Sequence, residues 1–122
     1  VKKNNRLISG GGAISQLNRI DLSMIDQRVK NINFIVACDV SNPLLGNDGA
    51  AKTYAEQKGA NPQMIDQLEF AGKQFTKVML NQFGIDVGSI KGGGAAGGVS
   101  AGLYGILNAN LKNGFDLLTD FI

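Results

Sequence analysis

Residues 31–39 read Asn-Ile-Asn-Phe-Ile-Val-Ala-Cys-Asp, and this stretch decides the class of fold. The apolar and β-branched residues run on without a break after Asn33, which is typical of a strand that is buried on both faces from Asn31 to Ala37. Buried strands of this kind occur where helices cover a parallel sheet. We therefore expect residues 1–122 to form one small α/β domain, with a short mixed or parallel sheet flanked by helices.

The segment after the strand carries a candidate for chemistry, because Asp39 follows the strand at once and Pro43 opens the chain into an extended turn. In open α/β sheets, ligands bind beside the carboxyl ends of the strands. This makes Asp39 the best-placed carboxylate for a metal ion, a substrate hydroxyl or a proton. An aspartate here can equally cap its own turn through the N–H groups of Ser41 and Asn42. The residues alone leave both roles open.

Helix signals are strongest in the middle of the chain. Asn61 and Pro62 have the residue types of an N-cap and a first helical position, and apolar residues then recur at three- and four-residue spacing to about Phe83, before Gly84. Weaker signals predict a short helix within residues 11–19. They also predict a helical segment over residues 115–122, after a turn at residues 113–114.

A further short helix is expected over residues 50–58, capped by Asp48 and stopped at Gly59. Its last residue, Lys58, stands next to that glycine. From this position the lysine can contact a phosphate group or the last carbonyls of its own helix, and the residues alone favour the carbonyls.

Residues 91–98 read Lys-Gly-Gly-Gly-Ala-Ala-Gly-Gly and pass directly into an apolar segment with helical spacing. Small residues leave backbone amides uncovered and permit positive φ, so the run can wrap a phosphate or carboxylate at a helix N-terminus. The run matches neither the P-loop pattern nor, securely, the dinucleotide-binding pattern. The alternative is a turn that lets the next helix pack closely on a neighbour through its small residues, which are Ala96, Ala101, Gly102 and Gly105.

Composition excludes several classes of function. Of the 122 residues 43% are hydrophobic and 18% charged, as in ordinary globular proteins, and the net charge of +2 gives no reason to expect nucleic-acid or membrane binding. No apolar stretch approaches the roughly 18 residues of a membrane span, and the first residues lack a signal-peptide pattern. One cysteine rules out a disulfide framework. We expect a cytoplasmic protein.

The chain contains no histidine. Histidine acid–base catalysis, histidine metal ligation and histidine activation of a serine or cysteine nucleophile are therefore excluded within this chain. Cys38 is better explained as a small buried hydrophobic residue than as a nucleophile.

Three segments, in order and over nearly the whole chain, resemble the bacterial-type glycerate kinases, which phosphorylate D-glycerate with ATP. Residues 11–23 are similar to the family's Gly-Gly-x-x-Leu-x-x-Leu-x-x-Ile-Asp-x-Ser run. Residues 36–46 read Val-Ala-Cys-Asp-Val-Ser-Asn-Pro-Leu-Leu-Gly, with Gln-Lys-Gly-Ala following at 57–60. Residues 92–98 are close to Gly-Ala-Gly-Ala-Ala-Gly-Gly. The chain departs from the family at Glu56, where proline is common, and at Gly93, where alanine is usual.

The family's Asp-Ser-Phe-Lys-Gly, Gly-Gly-Ser-Ala-Thr-Asn-Asp-Gly-Gly and Gly-Glu-Gly-Arg-x-Asp segments have no counterpart in this chain. The resemblance thus implies an internal fragment. Its residues correspond mostly to the smaller of the family's two α/β domains, with an active cleft between that domain and a Rossmann-like partner domain of the same protein. Such a fragment is expected to be inactive alone.

The resemblance also implies a site built from a glycine loop, a lysine, an aspartate and Mg²⁺, since phosphoryl transfer depends on positioning and charge neutralisation. It makes Asp39 and Lys58 the catalytic candidates, with Asp39 also a candidate Mg²⁺ ligand. The candidates for substrate or phosphate binding are Asn42, Gln57, Gly92, Gly93, Gly94, Ala95, Ala96, Gly97 and Gly98. We expect Asp39, Lys58 and the glycine run to converge on one hollow that holds an anion.

Two other functions remain open at this point. The same glycine loop would suit a non-catalytic module that binds a carboxylate or phosphate metabolite, and the chain would also suit a packing domain that completes the site of another domain. The resemblance leaves open which hydroxyl of D-glycerate is phosphorylated, which groups hold ATP and how many subunits assemble.

Overall fold

The computed structural model describes residues 2–3 and 6–120. Two-residue strands β1 and β2 pair antiparallel near the start of the chain, and a longer pair, β3 and β4, is parallel. Four helices and several 3₁₀ turns complete the fold. The bounds are β1 Lys2–Lys3, β2 Arg6–Leu7, β3 Ile35–Cys38, α1 Ala50–Tyr54, α2 Pro62–Phe83, α3 Val99–Leu107, β4 Asn110–Asn113 and α4 Gly114–Thr119, with 3₁₀ turns at Gly11–Gln16, Gln27–Asn31, Glu56–Lys58 and Ala95–Gly98.

Helix α2 confirms the prediction made from its end signals. The Asn61 side chain accepts a hydrogen bond from the Met64 amide at 2.8 Å, and Pro62 occupies the first helical position. Gly84 ends the helix in the left-handed region at φ +71° and donates its amide to the Leu80 carbonyl. The helix provides one wall of the cavity described below.

The parallel pairing of β3 with β4 confirms the α/β class, with Ile35 opposite Asn110 and Cys38 opposite Asn113. The strand predicted over residues 31–37 is confirmed at residues 35–37, but its predicted start at Asn31 and its burial on both faces are wrong. The strand covers Ile35–Cys38, and Ile35 is 46% exposed while Cys38 is buried. Within the described residues β3 has one neighbouring strand, so its other edge and one of its faces stay open to solvent.

The predicted turn at residues 113–114 is also wrong. Strand β4 leads directly into α4, and the Asn113 side chain caps that helix by accepting from the amides of Phe115 and Asp116. β4 has little hydrophobic alternation, and its position depends on pairing with β3, which lies far away in sequence. The predicted helix to 122 ends at Thr119 in the structure, and residues 121–122 lie outside the described part.

The short helices differ in detail from their predictions. Residues 50–58 are helical, but they divide into α1 and a 3₁₀ turn that stops at Gly59. Gly49, rather than Asp48, is the N-cap, and no side chain caps this helix. A Cβ on Gly49 would lie 2.6 Å from the Leu45 carbonyl carbon, so close packing of the preceding loop sets this helix start. The helix expected within residues 11–19 is a 3₁₀ turn at 11–16.

The core lies between α2 and α3, around the fully buried Met79, Val87 and Ala101. At Gly105 the two helices approach so closely that a Cβ would collide with the Met79 methyl group and lie 3.0 Å from Val87 Cγ1. Close packing through small residues, the alternative interpretation of this segment, therefore holds for Ala101 and Gly105. It does not hold for Ala96, which is exposed, or for Gly102, where a Cβ would meet nothing within 4 Å. No helix in the described ranges is long and apolar enough to cross a membrane.

Candidate functional site

The glycine run divides into two halves with different roles. In the first half, residues 92–95 are buried and their amides bond within the protein. Gly92 donates to the Ser41 carbonyl at 2.9 Å, Gly94 to the Asn42 carbonyl at 2.8 Å, and Ala95 to the Gly92 carbonyl at 3.1 Å. The expectation of uncovered amides does not hold for this half. Its role in this structure is to fasten the run to the loop that follows β3.

Gly92 shows why this fastening needs a glycine. Its φ is +83°, and a Cβ would lie 3.0 Å from the Cys38 sulfur. The buried Ser100 hydroxyl donates to the Gly92 carbonyl from the first turn of α3. Burial, helped by the charge of Asp39, raises the pKa of the Cys38 thiol, so the sulfur stays neutral and serves as packing.

The second half, residues 96–98, is open to solvent at Ala96 and Gly97. All three residues have positive φ, and Ala96, at 53°, is one of two non-glycine residues in the described chain that do. A left-handed residue with a Cβ costs about 1 kcal/mol, so the surroundings impose this conformation. Gly98 precedes α3, and the first turn of any helix leaves amides without intrahelical acceptors. The Gly97 amide itself donates to the Gly94 carbonyl at 3.1 Å, so the amides open to an anion are those in the first turn of α3, which this half leads into.

Lys58 and two residues of the second half, Gly97 and Gly98, line the same cavity, which has a volume of about 490 Å³. Gly97, Gly98 and Val99 line it where α3 begins, and since Lys58, Gly97 and Val99 are exposed, we call these four residues the rim of the cavity. Among the described residues the Lys58 ammonium group makes no hydrogen bond or ion pair, so it is free to meet an anion. The rest of the lining is mainly apolar and includes Ile14, Leu44, Tyr54, Leu68, Phe75 and Ile106.

Asp39 lies at the carboxyl end of β3, as predicted, and is exposed. Its carboxylate makes no hydrogen bond with the described residues, so the alternative in which it caps its own turn through Ser41 or Asn42 is not seen. It is also not among the residues that line the Lys58 cavity. The expected convergence on one hollow therefore holds for Lys58 and residues 97–98 and does not extend to Asp39.

Asn42 is held at both ends of its side-chain amide. Its Oδ1 accepts from the Tyr54 hydroxyl at 2.7 Å, and its Nδ2 donates to the Asp48 carbonyl at 2.7 Å. Since its backbone carbonyl also receives the Gly94 amide, Asn42 links α1 to the glycine run. Its contact with a ligand stays a prediction. The same applies to Gln57, which is exposed and does not line the cavity.

Tyr54 was missed by the sequence reasoning, although a signal for it existed. It stands four residues before Lys58, so a helical conformation places the two side chains near one another. The structure puts both in the lining of the cavity, with the Tyr54 hydroxyl turned to Asn42.

The Tyr54 hydroxyl gives a stability prediction for the complete protein. Tyr54→Phe leaves Asn42 Oδ1 without its donor, and we expect the free energy of unfolding to fall by about 1–2 kcal/mol. Urea denaturation measures the change. Tyr104→Phe is the matched control, because the Tyr104 hydroxyl makes no hydrogen bond within the described ranges, and a change below about 0.5 kcal/mol is expected there. Equal stabilities of the two variants would contradict a stabilising hydrogen bond from the Tyr54 hydroxyl to Asn42.

The chain's own residues offer little to a metal ion. Within the described part, no group of three or more His, Cys, Asp or Glu side chains is placed to hold one. Asp39 stands as a single exposed carboxylate.

Comparison with known proteins identifies what the chain is similar to. The sequence profile of the glycerate kinase family matches residues 1–122. The chain is 43% identical over 119 residues to the glycerate kinase of Halalkalibacterium halodurans, covering 97% of this chain and 31% of that protein. It is 41% identical over 115 residues to the glycerate 2-kinase of Escherichia coli K12, covering 94% of this chain and 30% of that protein.

A solved structure agrees with these relatives. The crystal structure of a provisionally named glycerate kinase 2 from Salmonella typhimurium LT2 superposes with a TM-score of 0.87 and 40% sequence identity. The match covers 95% of this chain and 31% of that one. The chain thus spans 30–31% of the length of the two curated relatives named above.

Proposed function

This chain belongs to the glycerate kinase family, and on that premise we propose that the protein of which it forms part transfers the γ-phosphoryl group of ATP to a hydroxyl of D-glycerate. The observation that carries the proposal is the shared cavity of Lys58, Gly97 and Gly98. Phosphoryl transfer depends on positioning and charge neutralisation, which a lysine and a glycine-rich helix start supply without histidine.

Each group at the rim has a separate task in this proposal. The Lys58 ammonium neutralises phosphate charge as a flexible point charge. Gly97 and Gly98 have no Cβ, so a phosphate can approach their backbone, and the N-terminal end of the α3 dipole favours a negative charge there. Gly92 and Gly94 contribute indirectly, because their bonds to Ser41 and Asn42 fix the start of α3.

A magnesium ion accompanies ATP in most kinases and supplies charge neutralisation at the phosphates. Such an ion usually binds the phosphates and one or two carboxylates. The described residues fit this only in part, because Asp39 is the one carboxylate at the carboxyl end of β3 and lies outside the cavity lining. We propose Asp39 as one ligand of this ion.

We also propose that the remainder of the complete protein includes a Rossmann-like domain that closes the active cleft. The 30% share that the chain covers in its relatives supports this. Exposed Asp39 would then face D-glycerate in the cleft, and the chain alone would be inactive.

The assay for this function uses the complete protein with ATP and D-glycerate. ADP release together with formation of a phosphoglycerate, detected by mass spectrometry, is the expected result. Binding of D-glycerate or inorganic phosphate without ADP release would favour the non-catalytic module instead. The absence of both binding and turnover would favour a packing role.

Asp39→Asn tests the other catalytic candidate, Asp39, in the same assay. The substitution keeps the shape of the side chain and removes its charge, and we expect kcat/KM for D-glycerate to fall about 10-fold, or about 1.4 kcal/mol. Stability should not change, since Asp39 is exposed and makes no hydrogen bond with the described residues. Asp66→Asn, on the exposed side of α2, is the control. Unchanged turnover in Asp39→Asn would make Asp39 an ordinary turn residue.

A further inference from the structure

The cavity beside Lys58 does not suit D-glycerate. Apart from the lysine, the side chains that line it are aliphatic or aromatic, and the Tyr54 hydroxyl is already bonded to Asn42. Glycerate has a carboxylate and two hydroxyl groups on three carbons, and each would need a polar partner when buried. The polar candidates of the sequence, Asp39, Asn42 and Gln57, all lie outside the lining.

We infer that this cavity receives the base of the nucleotide, with the phosphates at its rim; the inference rests on the proposed function. A ligand that fits must combine a flat apolar group with a polyanion, because the walls are apolar and the rim includes both Lys58 and the start of α3. A nucleoside triphosphate has both parts.

The dimensions and the walls agree with this ligand class. The volume of about 490 Å³ lies within the range of roughly 300–1,000 Å³ that is usual for small-molecule sites. Tyr54 from α1 and Phe75 from α2 bring aromatic rings to the lining, and aromatic rings stack favourably on bases. D-glycerate then binds on polar surface outside the cavity.

Gly102 allows the cavity to be filled without disturbing the fold. It lines the cavity from α3, and a Cβ built on it meets no heavy atom within 4 Å. Leucine is also a better helix former than glycine by about 1 kcal/mol. Gly102→Leu in the complete protein is therefore expected to raise KM for ATP at least about 10-fold, or about 1.4 kcal/mol in apparent affinity. KM for D-glycerate should stay within about twofold and the melting temperature should not fall.

Gly12→Leu is the matched control. Gly12 is exposed, lies outside the cavity lining, and likewise has nothing within 4 Å of a built Cβ. Both KM values of this variant should stay within about twofold of the unmodified protein, as expected for a surface substitution.

Competitive inhibition distinguishes the contribution of the base to binding from that of the phosphates. ADP and inorganic tripolyphosphate are both tested as competitors of ATP, and Gly102→Leu should weaken ADP about 10-fold while leaving tripolyphosphate within about twofold. An increase in KM for D-glycerate alone would overturn the inference in favour of a glycerate pocket. Unchanged KM values with a lower melting temperature would overturn it in favour of a protein segment that fills the cavity.

Failure of the proposed function can be recognised separately. If the unmodified protein does not phosphorylate D-glycerate, calorimetry with ATP alone tests the cavity. ATP binding that is lost in Gly102→Leu and kept in Gly12→Leu would support the nucleotide site. Equal binding by both variants, or no binding by the unmodified protein, would overturn it.

Discussion

Replacing Lys58 by methionine in the complete protein is expected to lower kcat/KM for ATP about 100-fold, or about 2.7 kcal/mol of transition-state stabilisation. Lys58 is the one cation among the described residues that line the cavity. Methionine keeps most of the apolar stem, so packing is preserved while the positive charge in the lining that Lys58 shares with Gly97 and Gly98 is lost. The measurement is initial-rate kinetics with ATP varied at saturating D-glycerate.

A matched lysine distinguishes the local charge from the overall charge. Lys73 is exposed on α2 and does not line the cavity, so Lys73→Met makes the same change in net charge elsewhere. We expect its kcat/KM to stay within about twofold, because exposed charges are screened by solvent and salt. Equal losses in the two variants, or no loss in Lys58→Met, would remove Lys58 from the site.

The second large effect concerns stability, at Gly94. A Cβ on this residue would collide with the Pro43 carbonyl oxygen and lie 3.0 Å from the Asn42 carbonyl oxygen, and both are backbone atoms. Backbone atoms yield less than a flexible side chain, so Gly94→Ala should cost at least about 3 kcal/mol, the upper end of overpacking. It should also break the bond from the Gly94 amide to Asn42.

Urea denaturation of the complete protein gives the free energy of unfolding for this comparison. Gly12→Ala is the control, since its Cβ would meet nothing within 4 Å and the residue is exposed. We expect the control to change stability by less than about 0.5 kcal/mol. A Gly94→Ala protein as stable as this control would show that the run is not fastened to the Asn42–Pro43 backbone.

Local signals were sufficient where the structure depends on local bonds. Asn61, Pro62 and Gly84 mark the ends of α2, because a cap needs only a side chain and the amides or carbonyls within one turn. The position of Asp39 directly after β3 was also predicted correctly, since an apolar run that stops at a charged residue marks a strand end.

Features that depend on distant partners could not be predicted in this way. Strand β4 exists because it pairs with β3, and a segment reading Asn-Leu-Lys-Asn does not show that partner. The division of the glycine run has the same origin. Gly92 and Gly94 bond to the loop at Ser41 and Asn42, some fifty residues earlier, so composition alone could not show which amides stay open.

A crystal structure of the complete protein with a non-hydrolysable ATP analogue would show where the phosphates bind. We predict phosphate oxygens within about 3 Å of Lys58 Nζ and of an amide in the first turn of α3, a normal hydrogen-bond distance. Phosphates bound on another surface, with no ligand contact at Lys58 or Gly98, would show that these residues do not bind ATP.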